Sequence, residues 1–146
     1  MVKKWIIVSS KIGSRFYEYE GPGKNLKLVK SLENPEGKLK NSDLNSDSQG
    51  TAVSQGSGKF SMNNEQDAKS RVVEKFAKEI AGELDMSRKA GSFSSLILVS
   101  EPGFLGQILA NLDSKTSDAI FHKLNKDLFS KKDSEILDSL KNVLTT

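Results

Sequence analysis

The chain has no cysteine and a single histidine, His122, in 146 residues. The first absence excludes disulfides, thiolate nucleophiles and cysteine-based metal sites. The second leaves a Ser-His-Asp relay or a histidine-rich zinc site with one residue to draw on. No apolar run approaches the roughly 20 residues of a membrane span. The opening MVKKWIIVSS has too short an apolar stretch for a signal peptide. These features predict a cytoplasmic protein without membrane contact. A strong charge of either sign is also lacking: 22 Lys and Arg oppose 19 Asp and Glu, for a net +3. The small excess is concentrated in residues 1–33, where seven Lys and Arg face three Glu. That bias suits an anionic partner but falls far short of the basic footprint of a dedicated nucleic-acid binder.

Apolar patterning fills the rest of the chain. Lys4 to Ser9 is β-branched and aromatic around WIIV, as in a strand. Gly13 marks a turn, and Arg15 to Glu20 alternates partially, with Trp5 and Phe16 expected in the core. Gly21-Pro22-Gly23 is a second turn signal. Leu26, Leu28, Val29 and Leu32 indicate a third strand with an irregularity, so the opening third reads as an antiparallel meander. Further on, Ala68, Val72, Phe76, Ile80 and Leu84 recur every four residues, and the spacing predicts a helix over Gln66–Lys89 that stops at Gly91. The continuous run SLILV suits a central strand buried on both faces. Ser100-Glu101-Pro102 is expected to open the next helix, with Ser as cap and Glu101 favoured by the helix dipole. Ala119–Leu124 reads as a strand on which His122 shares a face with Ile120 and Leu124. A last helix follows Ser130. The order βββ-loop-αβαβα predicts one α/β domain over residues 1–146, a mixed sheet with helices packed on its faces.

Between the meander and the first helix lies a polar stretch at about 34–64. Loops of this length are uncommon inside compact domains and are usually functional or disordered. Its Gln55, Gly56, Gly58 and Lys59 combine flexible backbone with a cation, a composition that lets backbone N–H groups approach a phosphate. The spacing is not that of a P-loop: Lys59 is followed by Phe60, and no hydrophobic strand precedes the cluster. Asn34-Pro35-Glu36-Gly37 carries the residues of a turn. A second candidate surface is basic and aromatic: Tyr17 and Tyr19 share a strand face, flanked by Arg15 and Lys11, and are expected to be exposed.

NPEG at Asn34–Gly37, DLNSD at Asp43–Asp47, QGSGK, SEPGFLG at Ser100–Gly106 and NKDL at Asn125–Leu128 follow one another as in the bacterial host attachment protein family. The chain resembles that family over almost its whole length. The family is in turn similar to the middle domain of archaeal and eukaryotic peptide-chain release factors. That resemblance implies a ribonuclease H-like α/β arrangement and a role linked to RNA or the ribosome. Family members often carry Asp near the end of the first strand; here the strand ends in Ser9 and Ser10. The release-factor domain uses a Gly-Gly-Gln tip, which is absent here, so the resemblance does not extend to peptide release.

These readings point to a binding module without catalysis, cofactor or metal, whose partner is translation-associated RNA or the ribosome. A protein-interaction role in attachment to host cells is the alternative that the family name implies. A metal-dependent nuclease is a further alternative, suggested by fold analogy.

Overall fold

The computed structural model describes residues 3–38 and 58–144. Five strands form one sheet in the order β3-β2-β1-β4-β5. β1 (Lys4–Ser10), β2 (Gly13–Tyr19) and β3 (Lys27–Glu33) are the expected meander, paired antiparallel. β4 (Ser95–Ser100) lies parallel to β1, and β5 (Ile120–Asn125) lies parallel to β4. The fold is therefore α/β with a mixed sheet. The two parallel joins need crossovers, and helices supply both.

The first crossover is α1, Gly58–Lys89. It starts eight residues before the predicted Gln66, so the backbone of Gly58 and Lys59 is the first turn of a helix and not loop. The sequence Gly58–Glu65 lacks an apolar period, which is why patterning alone began the helix later. The expected end holds. Gly91 has φ 76°, its N–H bonds the Arg88 carbonyl, and Ser92 N–H bonds that of Ser87. This is a Schellman stop, with glycine relieving the left-handed position. Asn34 leads into a one-turn 3-10 helix at Pro35–Lys38.

The second crossover contains α2 (Phe104–Asn111) and α3 (Ser114–Ala119). α2 begins at Phe104 with Gly103 at the cap position and no side-chain cap. Ser100 is therefore not its cap, because Pro102 and Gly103 form an intervening turn. α3 is capped by Asp113, whose Oδ1 accepts the Thr116 N–H at 2.8 Å. Arg88 reaches from the end of α1 to Asp113 Oδ2 at 3.1 Å and to Thr116 Oγ1 at 2.8 Å. The Thr116 amide, with help from Arg88, holds the Asp113 carboxyl below its ordinary value. The chain closes with α4 (Asp133–Ser139) and α5 (Lys141–Leu144).

The alternation of β1 sorts the core onto two sheet faces. Trp5, Ile7, Phe16, Leu96 and Leu98 pack under α1 and α2 against Phe76, Ile80, Leu84, Phe104 and Ile108. Ile6, Val8, Ile97 and Val99 face the C-terminal segment, meeting Leu128, Ile136, Leu140 and Leu144. β4 is buried on both faces, as its unbroken apolar run requires. Trp5 and Phe16 meet edge to face at 6.0 Å inside the first cluster, as expected for core residues.

β5 departs from simple alternation. Its register with β4 shifts between Leu96 and Ile97, so that Leu96 pairs with Ile120 but Ile97 pairs with His122. One extra residue, Phe121, moves the downstream side chains to the other face. Ile120 joins the first cluster while Leu124 joins the second. His122 thus shares its face with Leu124 and not with Ile120.

Candidate functional site

Ligands of open α/β sheets gather beyond the carboxyl ends of the parallel strands, where the connections diverge. Here that point lies between β1 and β4: the chain leaves β1 for β2 on one side and leaves β4 for β5 on the other. The strand ends are rich in hydroxyls. Ser9, Ser14 and Ser100 are fully buried, and Ser9 Oγ meets Ser14 Oγ at 2.7 Å. Ser10 Oγ accepts the Ile12 N–H at 3.2 Å. Ser9, Ser10 and Ser14 thus bond one another or the hairpin backbone, a structural use.

Lys11 begins the tight β1–β2 hairpin and is held from two distant places. Its N–H donates to Glu101 Oε1 at 3.0 Å. Its carbonyl accepts from Asn34 Nδ2 at 2.8 Å. Glu101 therefore bonds a hairpin amide, which corrects the expectation that its carboxylate serves the helix after β4. Asn34 is buried, and its N–H bonds the Ile12 carbonyl at 3.0 Å. Gly37 completes the clamp. A Cβ there would sit 2.3 Å from the Lys11 carbonyl oxygen and 2.8 Å from Asn34 Nδ2, so only glycine allows this approach. The NPEG and SEPG segments thus converge on one residue. Turn chemistry alone accounts for NPEG but does not reveal what it grips.

Beside Lys11 opens a cleft of about 500 Å³ between α1 and α2. α1 contributes Lys69, Ser70, Val73 and Glu74. α2 contributes Gln107, Ala110 and Asn111, spaced as one helix face. Asn111 Nδ2 donates to the Gln107 carbonyl at 2.8 Å. Gln107 Oε1 is buried and accepts no hydrogen bond from the described residues. Sequence reading passed over these residues. The only hint was two amides four apart in an otherwise apolar helix.

The predicted basic-aromatic patch does not form one surface. Tyr17 is 3% exposed, against the expectation of an exposed ring. It packs in the second core cluster, and its hydroxyl donates to Asp133 Oδ1 at 3.1 Å. Burial pushes the Tyr17 phenol up to about 12, against the pull of Arg15. Arg15 donates to the Phe129 carbonyl, and its guanidinium lies 4.5 Å from the Phe129 ring centre and 5.9 Å from that of Tyr17. Tyr19 is half-buried at the opposite end of β2, with Lys4 Nζ 5.9 Å from its ring centre. Lys4 also lies 4.9 Å from the centre of the Phe121 ring. Lys11 alone of the four lines the cleft. The C-terminal segment, more than 100 residues away, covers Arg15 and Tyr17, and no local pattern announces that. Gln55 and Gly56 lie outside the described residues, as do Asp43 and Asp47; Gly58 and Lys59 enter only as helix backbone.

Among the described residues, no group of three or more His, Asp or Glu is placed to hold a metal ion. No helix among them is long and apolar enough to cross a membrane. Over residues 5–140 the chain matches the family described as protein required for attachment to host cells. The chain belongs to that family. No curated protein matches it individually. The match runs from β1 through α4 and so takes in the whole sheet and both helical crossovers.

Proposed function

We propose that this member of the attachment family is a binding protein that serves attachment to host cells through a protein partner. The family match over residues 5–140 carries the reading. The engagement of three basic side chains supports it over the RNA-linked alternative. Arg15, from the candidate basic and aromatic surface, is bound to the Phe129 carbonyl and lies against the Phe129 ring. Lys30 pairs with Glu83 at 2.6 Å, and Arg88 with Asp113. A phosphate-tracking groove needs several uncommitted cations on one face. The ribonuclease H-like arrangement belongs to this proposal as well. An antiparallel β3-β2-β1 meander followed by parallel β4 and β5 supports it, and fold alone does not fix function.

Crosslinking in native cells, with protein and RNA both identified after purification, tests the reading, alongside adherence of a deletion strain. A recovered protein partner and lost adherence, restored by the wild-type gene, are the expected results. Fractionation of the same cells tests the cytoplasmic location. Undiminished adherence together with crosslinked RNA whose affinity falls steeply with salt would transfer the assignment to RNA or the ribosome.

A further inference from the structure

The cleft between α1 and α2 has the size of a small-ligand site and sits where open α/β sheets bind their ligands. Three observations argue that it is built for an occupant. The first is investment in Lys11. An exposed hairpin residue has both its backbone groups fixed by side chains from segments 23 and 90 positions away. Gly37 is pressed against the same carbonyl. Locking the backbone of a residue that lines the cleft fixes where its side chain starts, which lowers part of the ordering cost of binding.

The second observation is Gln107. Buried polar atoms are nearly always hydrogen-bonded, and an exception calls for an explanation. Gln107 Oε1 is buried at the cleft and receives no proton from the described residues. A ligand N–H or O–H would satisfy it. Asn111 has spent its Nδ2 on the Gln107 carbonyl, so its side-chain oxygen is a further acceptor in the same lining.

The third is charge. The described lining holds two lysines, Lys11 and Lys69, and one carboxylate, Glu74, beside Val73 and Ala110; Lys69 already takes part in another interaction. A ligand that carries only an anion would be drawn by the lysines and repelled by Glu74. A molecule that carries an anion at one end and a cationic donor at the other meets both.

We propose that this cleft binds a short zwitterionic ligand of the amino-acid or dipeptide class. The ligand carboxylate pairs with Lys11, the ammonium with Glu74, and an N–H donates to Gln107 Oε1. The inference goes beyond the attachment reading and does not depend on it.

The test uses the full chain, labelled with ¹⁵N, and alanyl-alanine as the probe. The expected result is saturable movement of the Gln107 and Asn111 side-chain amide signals. N-acetyl-alanyl-alanine and alanyl-alanine amide should each bind about tenfold more weakly, the loss of one charge-assisted contact. Lys11→Ala should bind the free dipeptide about tenfold more weakly and no longer distinguish it from the amide. Glu74→Gln should no longer distinguish it from the N-acetyl form. Both side chains are exposed, so neither change threatens the fold. Absence of any saturable shift, equal binding of free and blocked dipeptides, or glucuronate binding as well as alanyl-alanine would overturn the proposal.

Discussion

The two faces of the sheet are buried in different ways. Under α1 and α2, apolar residues arrive at helical spacing and stack on alternating strand positions; Phe76 lies parallel to Phe104 with ring centres 6.0 Å apart. On the opposite face the cover is a loop and two helices of seven and four residues. There a phenol, a guanidinium, a carboxylate and a backbone carbonyl take part in the packing. The first face is held by area. The second combines area with hydrogen bonds that work only when Phe129 and Asp133 are docked.

Breaking the first face should have the largest effect. Phe76→Ala and Ile80→Ala each remove a side chain that is almost fully buried. Each should destabilise the protein by about 2–5 kcal/mol in denaturant titration. Near-neutral values for both would mean that α1 does not cover the sheet as described.

The clamp comes next. Gly37→Ala sets a methyl group 2.3 Å from the Lys11 carbonyl oxygen, which is backbone and yields little. A loss of about 1–3 kcal/mol is expected. Wild-type stability would mean that the 3-10 turn can lift off the hairpin at little cost.

Tyr17→Phe probes the second face. It removes the bond to Asp133 while keeping the ring, at a cost of about 1 kcal/mol. The pH response sharpens the contrast. Burial lifts the Tyr17 phenol to about 12, so between pH 10 and 12 the folded state holds a proton that the unfolded state releases. Stability attributable to Tyr17 should be fully present below pH 10 and fall as pH rises through this window. The fall should be absent from Tyr17→Phe. Parallel curves for the two proteins across pH 9–12 would place the phenol in water.

The smallest effect belongs to neither face. Leu28 is 53% exposed on the edge strand β3, and Leu28→Ala should stay within about 0.5 kcal/mol of wild type.

This contrast also explains what could be read in the sequence. The meander, the buried central strand, the first-face core and the glycine stop of α1 follow from local period and turn chemistry, and they were legible. Tyr17 was not: its alternation with Phe16 assigned it a face correctly, but whether that face is covered depends on Asp133 and Phe129, far along the chain. The bulge at Phe121 was hidden for a related reason, since a register shift is decided by the partner strand. Within the candidate site, NPEG and SEPG were visible as motifs. Their shared grip on Lys11 is a three-dimensional fact, and so is the unmet oxygen of Gln107.

The same grip has a consequence for how the chain opens. Amides in exposed tight turns ordinarily exchange their protons with solvent within moments, because fraying there requires little free energy. The Lys11 amide is bonded to a side chain that follows the central strand β4. Its release requires the Glu101 side chain to let go as well as the turn to breathe. The Lys11 proton should therefore exchange more slowly than an unclamped turn amide, and Glu101→Ala should remove that difference.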